Sequence, residues 1–414
     1  MRFRMRKWHL VEQRRLRWLV ATLFVAAVVA TANEPAYGAR TLVAHTWQLD
    51  HTYYRGSSAM SAACRSNGSC VVVGYLANRL LTNNDGIAIG PDAFRAVVTA
   101  TRVERRTGLP AGSAAACRGD LCVSVGGSIF GLKAITLRGP GWQGVPVSGP
   151  PRVNADSLTS VACASSSHCF AVGLTDYRTT TTCTTPASVG ACISTEPIVE
   201  EMHPGGWSVL EPSATPLASP EPDLTRIACA NGAFCVATGT SGVGSATPVE
   251  LSWIHGVWAE QNLPLPAAAA EPVINDVACS ASATCVAVGG YEAAGVERPL
   301  VLRRRGGTWR VVVLQLPRAG ESATLSSVAC ATSAYCVAVG SRRTRYGDSR
   351  PLVETWMHNR WRSTAVPAPT GAKGFASVAC SSTGCVAVGN FGRGARSSWF
   401  LLRDAIPANG MSAQ

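Results

Sequence analysis

Charge is scarce in this chain: Asp, Glu, Lys and Arg supply only 15% of its 414 residues, and aromatic residues 7%. After the first 17 residues there is no Lys/Arg-rich run or basic-aromatic motif of the kind a nucleic-acid binder shows, which argues against that class. Beyond residue 33 no apolar run is long enough to span a membrane. Long helical periodicity is also missing after about residue 40, and with abundant Gly, Pro, Ala, Thr and Val that absence points to an all-β chain. A GxSxG elbow, an HExxH motif, a P-loop and a dinucleotide fingerprint are all lacking in their proper contexts. No CxxC-type pairs or histidines at fixed spacing recur, so neither a metal site nor a cofactor is expected.

What positive charge there is gathers at the start. The formal charge is +12, and Arg2, Arg4, Arg6, Lys7, Arg14, Arg15 and Arg17 against Glu12 place +6 of it in the first 17 residues. The uncharged stretch Trp18 to Asn33 comes next, and then polar sequence: the layout of a secretory signal, with Ala30-Thr31-Ala32 as the cleavage site. As a helix this stretch would reach about 24 Å, short of the roughly 30 Å hydrocarbon core, so cleavage is favoured over anchoring. The reading is a signal peptide over 1–32, a membrane anchor only if uncleaved, then a linker over 33–45, a folded domain over 46–406 and a tail over 407–414. The folded part is expected outside the cytoplasm, secreted or at the extracellular face of the envelope.

Cysteine is the residue in excess. Sixteen cysteines form eight close pairs, and seven pairs sit in one recurring phrase. Clear copies are LTSVACASSSHCFAVG (158–173), LTRIACANGAFCVATG (224–239), INDVACSASATCVAVG (274–289), LSSVACATSAYCVAVG (325–340) and the shorter FASVACSSTGCVAVG (375–389). AMSAACRSNGSCVVVG (59–74) and GSAAACRGDLCVSVG (112–126) are weaker. The first cysteines, Cys64, Cys117, Cys163, Cys229, Cys279, Cys330 and Cys380, are separated by 53, 46, 66, 50, 51 and 50 residues. A period near 50 means one supersecondary unit that must pack on its neighbours.

Each unit reads as four short strands. Strand a is LxxVAC with alternating faces, strand b is CxAVG, strand c is exemplified by RPLVLRRRG (298–306), and strand d opens on Trp142, Trp207, Trp258, Trp309 or Trp361. In the first unit Phe94 stands at the expected tryptophan position. The last unit ends after SSWFLLRD (397–404), while TWQLDHTYY (46–54) resembles a strand d with no unit of its own. Joining the two gives an all-β, seven-bladed β-propeller of four-stranded antiparallel blades, closed by an N-terminal strand and free of open edges.

The cysteine spacing places each pair across the tight a–b hairpin, where facing positions come within disulfide range. The expected bridges are Cys64–Cys70, Cys117–Cys122, Cys163–Cys169, Cys229–Cys235, Cys279–Cys285, Cys330–Cys336 and Cys380–Cys385, one per blade. An eighth, Cys183–Cys192, would close a Thr-rich loop in the insertion 175–197. His203, His255 and His358 fall at separate c–d turns and read as solvated residues.

The b–c loops are rich in Arg and Tyr. Arg342, Arg343, Arg345, Arg350, Arg393 and Arg396 with Tyr177, Tyr291 and Tyr346 would bind an anionic or sugar-like ligand through guanidinium forks and ring stacking, against the simpler reading of a solvated basic rim. Asp85, Asp176, Glu292, Glu297 and Asp348 lie on the same face and could serve as acid and base if two converged. The S-x-D-x-G-x-x-W boxes of sialidase-type propellers are missing from every unit.

The VAC…CxAVG phrase with its later Trp-opened strand resembles the cysteine-paired repeats of secreted actinobacterial β-propeller-like proteins over residues 47 to about 404. That resemblance implies an exported propeller of mostly unassigned activity and carries no catalytic residues. The functional expectation is a monomeric binding propeller of the envelope or extracellular space, holding an envelope protein or cell-wall glycan on the b–c face. The alternative is a polysaccharide-acting hydrolase or lyase with its site at the mouth of the central channel.

Overall fold

The computed structural model describes residues 47–405 except 54–56, 77–80, 83–87, 90–92, 99–102, 108–112, 129–130, 139–140, 149–152, 183–190, 204, 211–222, 232–233, 242–246, 255–256, 282–283, 315–320 and 393–397. The expected signal peptide, linker and tail lie outside the described residues, and every described strand belongs to the compact unit His45–Gln414.

β1 (Gln48–Tyr53) precedes the first repeat unit, which holds β2 (Ser57–Cys64), β3 (Cys70–Leu76), a small hairpin of β4 (Leu81–Thr82) and β5 (Ala88–Ile89), then β6 (Ala93–Val98) and β7 (Val103–Thr107). The second unit is β8 (Ala114–Arg118), β9 (Leu121–Ser128), β10 (Gly131–Arg138) and β11 (Gly141–Val145), with the short β12 (Val147–Ser148) after it. The third is β13 (Val153–Cys163), β14 (Cys169–Thr182), β15 (Ala191–His203) and β16 (Gly206–Val209). The fourth is β17 (Asp223–Asn231), β18 (Phe234–Ser241), β19 (Thr247–Ile254) and β20 (Val257–Asn262). The fifth is β21 (Ala270–Ala281), β22 (Thr284–Ala293), β23 (Val296–Arg305) and β24 (Thr308–Val311), and the sixth β25 (Ser322–Thr332), β26 (Tyr335–Arg343), β27 (Ser349–Met357) and β28 (Arg360–Ser363). β29 (Ala372–Cys380), β30 (Gly384–Phe391) and β31 (Ser398–Ala405) end the series.

Among the described residues these strands make five four-stranded sheets, one nine-stranded sheet and the β4–β5 hairpin. The propeller therefore has six large sheets where the sequence counts seven separate blades. The cause is local: β13 starts ahead of its repeat phrase, so Asp156 reaches Ser128 of β9, and β12 pairs in parallel with Trp207 and Ser208 of β16. The second and third units are thereby merged, and their common sheet carries two bridges, Cys117–Cys122 and Cys163–Cys169, instead of one. At the other end of the series β1 pairs antiparallel with β31 to complete the sheet β1-β31-β30-β29. The opening strands touch in succession, β2 to β8, β13, β17, β21, β25 and β29, and β29 returns to β2. The circuit is closed.

Two further readings are corrected. Phe94 lies in β6, which pairs with β3 and so is strand c; strand d is β7, Val103–Thr107, and has no aromatic residue. The insertion 175–197 is mostly hairpin and not loop: β14 and β15 stay in register out to Thr179↔Cys192 and, after one shift, pair again at Thr182↔Ala191, because β-branched threonine suits a pleated surface. Cys183 and the side chain of Cys192 lie outside what is described. The other seven expected disulfides are all present. In each the cysteines are direct register partners, as in Cys330↔Cys336.

Strand a departs from simple alternation. Its register slips between Ala59 and Ser61, Leu158 and Ser160, Leu224 and Arg226, Ile274 and Asp276, Leu325 and Ser327, and Phe375 and Ser377: one β-bulge, four residues before the first cysteine, in six units. The glycine that ends CxAVG is required there, since a Cβ on Gly340 would stand 2.1 Å from the Thr324 carbonyl oxygen. The bulge aims side chains at the next unit. Ser61, Ser160, Ser327 and Ser377 Oγ accept the backbone N–H groups of Ala115, Ile227, Val378 and Ala62 at 3.2, 3.1, 3.1 and 3.1 Å. Asp276 accepts from Val328 N at 2.9 Å and from Ser327 Oγ at 2.7 Å. Beside them, Thr159, Asn275 and Ser326 donate to the carbonyls of Thr225, Leu325 and Phe375 at 3.0, 2.8 and 2.7 Å.

Apolar packing fills the seams around these bonds. Val286, Val288 and Val301 of the fifth unit pack on Leu325, Val328, Ala338, Leu352 and Trp356 of the sixth, each fully buried side chain of this kind contributing roughly 1.5–3 kcal/mol. Strand c adds buried polar ties. Glu250 meets Arg304 Nε at 3.3 Å and accepts from Gln261 and Trp309, and Asp404 accepts from the Tyr335 hydroxyl. Glu354 accepts from Ser363 Oγ; burial raises its pKa to about 7, partly offset by Ser363 and by Arg342.

Ser327→Ala is expected to cost about 1–3 kcal/mol in denaturant unfolding, because a buried N–H of Val378 loses its acceptor and Asp276 a donor. Glu354 keeps its proton in the fold up to about pH 7, whereas the unfolded chain releases it near 4.5. The fold then binds the extra proton, so stability falls as pH rises from 4.5 to 7, by up to about 3 kcal/mol. Unfolding curves of Glu354→Gln across that range are expected to lose this slope.

Candidate functional site

The hairpin of β26 and β27 collects six of the residues picked out by the sequence. Arg342 faces Arg350 and Arg343 faces Ser349 at the ends of the two strands. Thr344-Arg345-Tyr346-Gly347-Asp348 makes the turn: Thr344 N donates to the Asp348 carbonyl at 2.9 Å, Gly347 N to the Thr344 carbonyl at 2.9 Å, and Gly347 takes the left-handed φ of 88° that glycine permits. Arg343, Arg345, Tyr346, Asp348 and Arg350 are all exposed, Tyr346 by 77%. The Arg345 guanidinium lies 4.7 Å from the Tyr346 ring centroid and donates to its hydroxyl at 2.5 Å.

Arg342 has a different role. Its Nη1 is 3.6 Å from Glu321 Oε2, and the Glu321 side chain is only 6% exposed. Arg342 also pulls the pKa of Glu354 down against the larger effect of burial. This guanidinium is committed to the seam beneath the hairpin, which sequence reasoning missed. The signal was available in strand c, where LVETW sets an acid among apolar residues.

Tyr291 belongs to the neighbouring unit. It pairs with Arg298 across β22 and β23, is half-buried against the core, and lines a shallow cleft with Pro266, Val313 and Leu314. Arg393, Arg396 and the Tyr177 side chain lie outside the described residues, as do Asp85 and the Asp176 side chain. Glu292 and Glu297 face each other across the β22–β23 tip, both exposed, and Asp348 stands exposed in the arginine turn. At the other end of the blades, His168 Nε2 meets Glu201 Oε1 at 2.5 Å and His203 Nε2 is 3.8 Å from Glu201 Oε2. His203 is thus tied to strand c as well as solvated. Among the described residues no three His, Cys, Asp or Glu side chains are grouped to hold a metal ion.

No family model matches the chain, and no curated protein sequence does. Solved structures with related shapes include a catalytically inactive variant of virginiamycin B lyase from Staphylococcus aureus with quinupristin, at 9% identity over 86% of this chain and 98% of that one, with a TM-score of 0.48. A protein of unknown function from Dyadobacter fermentans aligns at 9% identity over 87% of this chain and 99% of its own, with a TM-score of 0.46. Trypanosoma rangeli sialidase with 2,3-difluorosialic acid aligns at 9% identity over 87% of this chain and 54% of the sialidase, with a TM-score of 0.41. At such identities no residue's role passes from these proteins to this one.

Proposed function

We propose that this chain is an exported binding propeller of the envelope or extracellular space, which holds an envelope protein or cell-wall glycan at the β26–β27 tip. The observation that carries the reading is the tip itself: three exposed guanidinium groups, Arg343, Arg345 and Arg350, and one exposed phenol, Tyr346, on a single turn with Asp348 as its one acid. Arginine forks suit oxyanions and the carbonyl and hydroxyl oxygens of sugars, and an arginine-backed ring is a stacking platform. Export is supported by seven disulfides among the described residues, which persist in oxidising compartments. The basic-then-apolar N-terminus, read as a cleaved signal over 1–32, supplies the route. Among the described residues no helix is long and apolar enough to cross a membrane.

Retention of the purified protein on native envelope fractions tests the proposal. Arg343→Ala, Arg345→Ala and Arg350→Ala combined are expected to reduce retention at least tenfold while leaving the unfolding midpoint in place; undiminished retention overturns the assignment to this tip. Arg342 is left intact in that variant, because removing it would strand buried Glu321 and confuse binding with folding.

A further inference from the structure

A second cationic cluster lies at the opposite end of the blades, where the fifth unit meets the sixth. β23 and β24 form the hairpin VLRRRGGTWR, which spends four arginines in ten residues of a chain poor in charge. They divide between two faces. Arg304 turns toward the fourth unit, buried against Glu250 and 4.9 Å from the Phe234 ring centroid. Arg303 turns the other way, its guanidinium 4.2 Å from the ring centroid of Trp356 in the sixth unit. Its Nη1 donates to Asn359 Oδ1 at 3.3 Å and its Nη2 to the Ser333 carbonyl at 3.4 Å.

The other two arginines share Arg303's face. Arg310 is its direct register partner across the hairpin, and Arg305 lies two residues along the same strand, where side chains return to one side. Both are exposed. Like charges placed directly opposite are destabilising in a sheet, and among the described residues no carboxylate pairs with any of the three. Burial, and secondarily the charge of Arg305, hold the pKa of Arg303 below its usual value. A bound anion would relieve each of these costs.

We infer that Arg303, Arg305 and Arg310 form a binding site for a phosphate group, with Arg303 fixed in place by Trp356 and Asn359. Three forks on one face can divide the oxygens of a tetrahedral anion among them, whereas a planar carboxylate engages one fork fully. The phosphate is either a free ion or one link of a phosphodiester polymer. The site is separate from the β26–β27 tip and does not rest on the function proposed there.

Calorimetric titration of the purified protein with inorganic phosphate, poly(glycerol phosphate) and polygalacturonate tests this. Binding of either phosphate probe is expected, weakened at least tenfold by Arg305→Gln with Arg310→Gln, exposed positions where glutamine keeps length without charge. The Arg343, Arg345 and Arg350 variant should bind phosphate like the parent protein, which separates this site from the tip. Binding of inorganic phosphate assigns a free-ion site, and binding of the polymer alone assigns a polymer site. Absence of binding by both phosphate probes, binding unchanged by the double substitution, or equally tight binding of polygalacturonate overturns the inference.

Discussion

The hydrogen bonds that tie six of the opening strands to the next unit's backbone help convert a row of repeats into a ring. Packing alone is non-directional and tolerates sliding of one sheet over another, but a hydroxyl that must meet one particular N–H does not. The bulge makes this possible, since an unbroken strand would present its side chains strictly to alternate faces. Ser377, whose acceptor oxygen serves Ala62 across nearly the whole length of the chain, shows that the same bond that joins neighbours also joins the ends. Where serine is absent the substitutes are instructive: Arg226 donates to the Asn275 carbonyl, and Asp276 takes the N–H of Val328.

The disulfides act on a different scale. Each closes a loop of only five or six residues in sequence separation, so it stiffens one hairpin and leaves the seams to serine, aspartate and the apolar faces. The two devices are complementary because they do not overlap: covalent bonds within units, hydrogen bonds and buried side chains between them.

Much of this is legible in the sequence because the repeat states it seven times. The a–b hairpins, their seven bridges and the pairing of the first strand with the last all come from cysteine spacing and from two fragments that lack partners. The merging of the second and third units is not legible, since it depends on one pair, Asp156 and Ser128, outside the repeated phrase. Phe94 misleads because an aromatic residue marks strand d in the other units, whereas strand c of the first unit supplies this ring. At the tip, sequence alone cannot distinguish an arginine paired with a buried acid from one in solvent; Arg342 and Arg343 are adjacent in sequence and opposite in role.

The closure strand has a mechanical meaning. β1 is the first described strand of the chain and is held to its sheet by pairing with β31 alone, through five register pairs from Gln48↔Arg403 to Tyr53↔Trp399. Just ahead of it Trp47 is buried among Tyr335, Val337, Phe375 and Phe400, so the closure is anchored by one buried ring as well as by the strand pair. The clasp is non-covalent: neither β1 nor β31 carries a cysteine, whereas the hairpin of β29 and β30 in the same sheet is bridged by Cys380–Cys385.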